Sequence, residues 1–389
     1  MRKLDSLQRA RVAVTASFLM NGLVAGTFTA RLPDLKKHLG LSNSALGILL
    51  FCVAAGVLSA LKPAGKNAAK YGSKPMVQIG NTALAISIAI LPLQFNVAFF
   101  AFSMFLLGFS LATEDVSMNT HGIAVEQKSG RRMMSMFHAF WSVGALCGGA
   151  LGALTIHLGL STQQHTLIVS AILLVTIIGI NNFFLPADAD KHPYSDEKKK
   201  AKHPAIFWTM GLLGFCGAIA EGSASDWGAI LARDTFHATP AQSTSPYIAF
   251  TFTMVIGRFL GDRLAERFGA KALISISGLI GGIGLASGLT IGGITGITVG
   301  WFLLGLGVAV VIPLMFSAAG DLALKEYPGA ISPSEAVAKV SGITYFGFVV
   351  GPPILGSISD WSNSLRATMF IPAALAILLS IGSRLTIKN

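Results

Sequence analysis

Acidic and amide side chains occur inside two long apolar stretches of this 389-residue sequence, and their types suit the binding of a proton or a polar ligand. Asp115 and Asn119 lie four residues apart, so they share one face of a helix, while Glu114 points about 100° away from Asp115. Glu221 lies in a second apolar stretch. A charge in an apolar layer is costly, so such residues usually face a cavity and bind something. We predict that all four bind protons or a solute, the alternative being structural ion pairs.

Aromatic and polar side chains in two further apolar stretches are candidates for the same site. His138 and Trp141 share a helix face at a spacing of three residues, and such rings beside polar groups suit a ring-shaped solute such as a sugar or a heterocycle. Asn21 lies about ten residues into the first apolar stretch, close to the middle of a spanning helix. The alternative for these residues is helix packing, which the glycines that follow Trp141 favour. His121 is interpreted as an interhelical hydrogen bonder.

A second set of charged residues is predicted to lie near helix ends, where ion pairs can form a gate. Asp226 follows Glu221 close to the outer end of its helix, and we expect it to pair with Arg31 at the outer rim. The expected gate residues at the inner side are Asp262, Glu266, Arg267 and Asp321. The alternative for the inner residues is a structural interaction with their own helix ends.

The composition requires these side chains to be positioned by membrane helices. Hydrophobic residues make up 52% of the chain and charged residues 12%, whereas a soluble domain has about 25% charged residues. A helix that spans the hydrocarbon core needs about 20 mostly apolar residues. The sequence therefore predicts an all-α membrane protein of twelve transmembrane helices. We place them roughly at 8–31, 44–62, 75–94, 97–125, 133–158, 165–185, 205–232, 244–264, 271–290, 293–318, 334–358 and 365–384.

The distribution of basic residues predicts the orientation. The formal net charge is +11, and most of the 29 lysines and arginines fall at inner ends if the N-terminus is inside. Both termini are thus predicted to be cytoplasmic, in a bacterial inner membrane. Nucleic acid is not an expected partner, because the chain has no basic helix or patch of interleaved basic and aromatic residues. The three cysteines have no metal or disulfide spacing, so no metal site is expected.

A polar stretch divides the helices into two halves of six. We predict an N-terminal six-helix bundle at 1–186, a cytoplasmic linker at 187–204 and a C-terminal six-helix bundle at 205–389, with pseudo-symmetry between the bundles. The linker contains both acids and lysines, and we expect no chemistry there.

Two segments repeat between the halves. Gly65–Lys74 follows the second predicted helix and Gly257–Lys271 follows the eighth. Both resemble the inner-loop signature of the major facilitator superfamily, although Ala69 stands where that signature has an aspartate. Together with Arg31–Asp34, Glu221–Trp227 and Gly347–Gly356, they make the chain similar to a branch of uncharacterised bacterial inner-membrane carriers, distantly similar to the fucose–proton symporter.

This resemblance implies a secondary transporter that moves a small polar solute by alternating access, and the intramembrane acids favour proton-coupled symport. The alternatives are a proton-antiport exporter of drugs or metabolites and a non-transporting membrane sensor. The sequence has no phosphate-binding loop and no catalytic or metal cluster, so we do not expect an enzyme. We expect no cofactor, a proton gradient as the driving force, and a monomer whose partners are the solute and the lipid bilayer.

Overall fold

The computed structural model describes residues 5–93, 96–130, 133–191, 204–327, 331 and 333–386. All twelve predicted segments are helical, and no strand occurs in these ranges. Ten of the helical spans are long and apolar enough to cross a membrane by length and composition. The prediction of an all-α, multi-pass membrane protein is confirmed.

Six α-helices occur among the described residues of the first half. Their bounds are α1 Ser6–His38, α2 Asn43–Tyr71, α3 Ser73–Ile90, α4 Val97–Ser129, α5 Met134–His157 and α6 Thr162–Ile180. The first helix is longer than predicted and continues through Pro33. It starts with a capping box in which Asp5 and Gln8 satisfy each other's backbone N–H groups.

The described residues of the second half contain eight α-helices, which correspond to the six remaining predictions. Their bounds are α7 Ala205–Ile230, α8 Ser245–Phe268, α9 Ala270–Ile291, α10 Gly293–Val308, α11 Val311–Glu326, α12 Pro333–Trp361, α13 Leu365–Thr368 and α14 Phe370–Thr386. The predicted tenth segment is thus two helices, interrupted at Ala309–Val310, and the predicted twelfth is α13 followed by α14. Helix α7 continues through the small residues 222–225 and is followed by a π-helical turn at Leu231–Thr235.

The chain forms two compact units. One contains Met1–Leu41 and Leu49–Glu197, and the other contains Ser42–Ile48 and Lys198–Asn389. Most of the predicted linker lies outside the described residues.

The first turn of α2 belongs to the second unit because the end of α12 caps it. Both carboxylate oxygens of Asp360 accept backbone N–H groups, from Asn43 at 3.2 Å and from Ser44 at 2.8 Å. The Asn43 side chain also donates to Ser359 Oγ at 2.9 Å. The first N–H groups of a helix have no partner within the helix, and a carboxylate near them is stabilised by the helix dipole.

The repeated signature segments are helical rather than loops, which corrects the prediction. The chain runs as helix through Tyr71 and resumes at Ser73, and the intervening Gly72 has φ +86°. In the second half, α8 and α9 are separated by Gly269 with φ +81°. Glycine adopts positive φ without the steric penalty of a Cβ atom. A single glycine therefore makes each turn, and the same turn recurs in the two halves.

Glycines allow α1 and α5 to pack with their backbones in contact. A Cβ atom on Gly22 would collide with the backbone carbonyl of Trp141, and one on Gly144 would collide with the carbonyl of Leu19. Small residues at membrane-helix interfaces permit this close approach. The structure thus supports the interpretation that the α5 glycines serve helix packing. The contact places the middle of α1 beside Trp141.

Replacing Gly22 with alanine is expected to destabilise the protein by about 1–3 kcal/mol, because the added methyl group forces two backbones apart. Gly179 in α6 is the matched control, since a Cβ atom there meets nothing within 4 Å. Its replacement with alanine is expected to be neutral or to stabilise the helix by about 0.5–1 kcal/mol. Thermal unfolding of the purified variants measures both effects, and equal midpoints would contradict the prediction.

Candidate solute and proton site

Helix α4 carries two adjacent acids into different environments. Glu114 is completely buried, whereas Asp115 is exposed. Consecutive residues of a helix point about 100° apart, so one acid faces the interior of the helix bundle while the other reaches the surface of its unit. The structure therefore shows the predicted difference in direction between the Glu114 and Asp115 side chains.

A chain of hydrogen bonds connects three of the predicted residues, and we call it the Trp141–Asn21–Glu114 relay. Trp141 Nε1 donates to Asn21 Oδ1 at 2.8 Å. Asn21 Nδ2 donates to Glu114 Oε2 at 3.0 Å and lies 3.3 Å from the carbonyl of Leu111. The relay crosses from α5 through α1 to α4, and the close packing of α1 on α5 makes it possible.

The other Glu114 oxygen, Oε1, is buried and has no hydrogen-bond partner among the described residues. Helix α3 packs against this position, because a Cβ atom on Gly80 would lie 2.8 Å from the Glu114 Cα atom. The next residue, Asn81, donates to Ser17 Oγ at 3.3 Å, and its own Oδ1 is likewise buried without a partner. Sequence reasoning missed Asn81 and Ser17, although a polar residue four positions before Asn21 was a usable signal.

Asp115 and Asn119 interact as their spacing predicts. Asn119 Nδ2 donates to Asp115 Oδ1 at 3.0 Å and to the Asp115 carbonyl at 2.8 Å. Asp115 is exposed and Asn119 is partly exposed. The pair therefore presents an acid and an amide at the surface of the first unit.

The predicted aromatic face of α5 is only partly available to a ligand. Trp141 is half-buried and His138 is exposed. The His138 ring lies edge-on against Phe18 at 5.0 Å between ring centroids, and Phe18 stacks on Phe137 at 5.6 Å. The face combines one exposed imidazole with a layer of packed rings.

In the second unit, Glu221 forms an ion pair with Arg258. The Arg258 Nη2 and Glu221 Oε1 atoms are 2.9 Å apart, and the side chains keep 27% and 17% exposure. Burial of both partners strengthens their attraction but also carries a desolvation cost. Glu221 is therefore a paired acid here.

Asp226 lies five residues beyond Glu221 on α7 and lines a narrow crevice between α7 and α12. Other residues of the crevice include Gly222, Phe348 and Pro352. Helix α12 is continuous across Pro352 and Pro353.

Arg31 is buried and is held by residues of its own unit. Its Nε donates to His165 Nδ1 at 3.1 Å, and its Nη2 donates to Thr155 Oγ1 at 3.0 Å and to the Leu160 carbonyl at 2.9 Å. Its Nη1 pairs with Asp34 at 3.0 Å. The sequence pointed to Arg31 but not to this network, because its partners are brought there by the packing of α5 and α6. A gate role with Asp226 stays a prediction.

The predicted inner gate residues lie on α8 and α11, and two of them are at the end of α8. Glu266 and Arg267 are exposed in the last turns of α8, and the Arg267 guanidinium lies 5.3 Å from the Phe268 ring centroid. Asp321 is exposed on α11. Asp262 lies within α8, and its side chain falls outside the described part of the structure. The gate role of all four residues stays a prediction.

His121 joins α3, α4 and the segment after α6. Its Nδ1 lies 2.7 Å from Ser73 Oγ, and its Nε2 accepts the Leu185 backbone N–H at 3.0 Å. Because Nε2 accepts, the neutral ring carries its proton on Nδ1 and donates it to Ser73. Asp190 completes the cluster by accepting the Ser73 backbone N–H at 3.1 Å. This arrangement supports the interpretation of His121 as an interhelical hydrogen bonder.

The described residues contain no group of three His, Cys, Asp or Glu side chains that could hold a metal ion. What the geometry offers instead is a set of intramembrane acids: one buried in a relay, one exposed beside an amide, and one in an ion pair. Such acids in a bundle of membrane helices are typical of transporters.

The fold and these intramembrane acids are typical of a polytopic membrane transporter. A family model described as Major Facilitator Superfamily matches residues 14–231 and 210–387. The chain therefore belongs to the major facilitator superfamily, as the signature segments predicted.

Two curated bacterial relatives match the chain over most of its length. An uncharacterized MFS-type transporter of Yersinia pestis is 27% identical over 91% of this chain and 90% of its own. Membrane protein MosC of Rhizobium meliloti is 29% identical over 93% of this chain and 86% of its own.

Solved transporters share the fold at low identity. A variant of the nucleoside transporter NupG has a TM-score of 0.78 and 12% identity, covering 97% of this chain and all of the other. The E. coli fucose:proton symporter FucP has a TM-score of 0.58 and 16% identity, covering 99% of this chain and all of the other.

Proposed function

We propose that this protein is a secondary transporter that moves a small polar solute across a bacterial inner membrane by alternating access, driven by the proton gradient through symport. The observation that carries this proposal is the exposed Asp115–Asn119 pair in the middle of α4, directly beside the buried Glu114. An acid and an amide on one surface can bind hydroxyl or amide groups of a solute, and a neighbouring acid can bind the coupled proton.

The class of solute that these groups suit is a polar ring, such as a sugar or a nucleoside. Trp141 and His138 supply ring faces on α5, and aromatic rings favour stacking with a ring-shaped ligand. The solved transporters of similar fold include ones for nucleosides and for fucose. Their substrates support this class of solute without specifying its identity.

The acids also support proton coupling without a bound cofactor. Glu114, Asp115 and Glu221 are ionisable groups within the apolar spans. The free-energy cost of a charge on each of them depends on its access to water, so their protonation can change when that access changes. The basic residues at the inner ends support cytoplasmic termini. We further propose that the working form is a monomer in the bilayer.

The test is solute flux into proteoliposomes under an imposed pH gradient, with labelled nucleosides and monosaccharides as probes. The wild-type protein is expected to accumulate one of these solutes when the outside is acidic. Asp115→Asn is expected to reduce gradient-driven accumulation by at least about tenfold, which corresponds to the loss of about 1.4 kcal/mol of coupling. Asp188→Asn is the matched control, since Asp188 is an acid outside the membrane spans, and its flux is expected to equal the wild type.

The same assay separates the alternatives. Accumulation only when the gradient is reversed would identify proton antiport and an exporter. Solute binding without flux in either direction would favour a non-transporting sensor. Wild-type accumulation in Asp115→Asn would remove Asp115 from the coupling mechanism.

A further inference from the structure

We propose that Glu114 is a buried proton-binding site that carries its proton on Oε1 in this conformation, and that the Trp141–Asn21–Glu114 relay connects this proton to whatever contacts the Trp141 ring. The connection to a solute rests on the proposed function, but the proton site itself does not. The site lies inside the first unit, between α1, α3, α4 and α5.

The relay restricts how Asn21 can face Glu114. The Trp141 indole N–H can only donate, so the Asn21 atom that it contacts must be the carbonyl oxygen. The Asn21 amide nitrogen then faces Glu114 and donates to Oε2. Glu114 thus receives one well-defined hydrogen bond, and it falls on one oxygen only.

The second oxygen of Glu114 needs a donor. Oε1 is buried with no partner among the described residues, and the nearby α3 side chain of Asn81 presents another buried acceptor without a donor. A carboxylate with an unpaired oxygen in an apolar interior is strongly disfavoured, whereas the protonated acid has its own O–H at this position. A proton on Oε1 removes the charge, so that this oxygen is no longer an unpaired carboxylate acceptor.

The groups around Glu114 offer no positive charge to balance a carboxylate. The facing spans of α1 (12–30) and α3 (75–90) contain no ionisable side chain, and the span of α2 (43–61) contains only Cys52. In the described part of α5, the ionisable side chain near the level of Glu114 is His138. The neighbouring acid on α4 is Asp115, which would repel a charge on Glu114. The local electrostatics therefore favour the neutral acid.

Trp141 gives this site contact with its surroundings. The indole is half-buried, and its N–H orients the Asn21 amide. A solute that stacks on the ring and moves it would loosen the hydrogen bond to Asn21 and so change the donor that Glu114 receives. Proton binding and solute binding would then be linked through three side chains.

The direct test is infrared spectroscopy of the purified wild-type protein in lipid, without solute and without a gradient. A protonated carboxylic acid has a C=O stretch that a carboxylate lacks. We expect such a band to persist at pH 7, where an ordinary glutamate with a pKa of about 4.3 is ionised. Glu114→Gln is expected to remove the band while the protein stays folded, because its amide has the shape of the neutral acid and also supplies a donor. Asp115→Asn is expected to retain it.

A second variant assigns the band to the relay. Trp141→Phe keeps an aromatic ring and removes the N–H, so the midpoint of the band's pH titration is expected to move by about one pH unit. Trp301→Phe is the control, since the buried Trp301 Nε1 has no hydrogen-bond partner in the described ranges, and its titration should match the wild type.

The outcomes separate this inference from the proposed function. Absence of the band at pH 7, or its survival in Glu114→Gln, would overturn the proton site whatever the transport assays show. An unmoved midpoint in Trp141→Phe would overturn the relay. A band with the expected behaviour in a protein that transports nothing would leave the proton site in place while the transport proposal fails.

Discussion

Replacing Arg31 with leucine is expected to lower the free energy of unfolding by about 3–5 kcal/mol, as is found when one partner of a buried charged network is removed. The Arg31 side chain satisfies His165, Thr155, the Leu160 carbonyl and Asp34 at once. Leucine leaves all four acceptors without their donor, and Asp34 loses its counter-ion in a position where it is mostly buried. Thermal unfolding of the purified protein, followed by tryptophan fluorescence, measures the loss.

Two further variants make this prediction specific. Arg31→Lys retains the charge but lacks the planar fork that serves several acceptors together, so an intermediate loss is expected. Lys37→Leu removes an exposed cation six residues later on the same helix, and its effect is expected to stay within about 0.5 kcal/mol. If Arg31→Leu were as stable as Lys37→Leu, the network would not contribute to stability.

Replacing Arg258 with methionine is expected to be the most damaging change in the second unit. It leaves Glu221 as an unpaired acid within the bundle, and breaking a buried pair on one side costs about 3–5 kcal/mol. We expect about 3 kcal/mol, the lower end, because both side chains keep some exposure. The measurement is again the unfolding midpoint of the purified protein in detergent.

The double variant Glu221→Gln, Arg258→Met removes both charges and tests the pair itself. Neutralising a pair on both sides avoids an unbalanced charge, so the double variant is expected to be more stable than Arg258→Met alone. Its flux under a pH gradient is expected to be lost if Glu221 takes part in coupling. A double variant that is no more stable than the single one would mean that Arg258 acts through packing rather than through Glu221.

The sequence by itself determined the class of molecule. The excess of apolar residues and the spacing of the apolar runs predicted an all-α membrane protein, because a bilayer leaves helices as the simplest structure in which each backbone group finds a partner within its own segment. The signature segments predicted the family. The i, i+4 pairing of Asp115 with Asn119 was also predicted correctly, since both residues belong to one helix and their relative position depends only on helix geometry.

Helix ends and interruptions were predicted less well than the existence of the helices. Helix α1 continues through Pro33 although proline disfavours a helix interior, and α2 continues through the signature residues up to Gly72, where a glycine with positive φ ends it. The interruption at Ala309–Val310 and the continuity of α7 through residues 222–225 depend on neighbouring helices, which a linear reading of small residues does not include.

Only the tertiary structure decided which polar groups meet. Asn21 lies 93 residues from Glu114 and 120 residues from Trp141 along the chain, and the hydrogen bonds of the relay exist because small residues let α1 approach α5. The pairing of Glu221 with Arg258, and the fixation of Arg31 within its own unit, follow from packing in the same way. Helical periodicity specifies the face on which a side chain lies, but the partner opposite that face is set by the register and distance between helices, which no local pattern encodes.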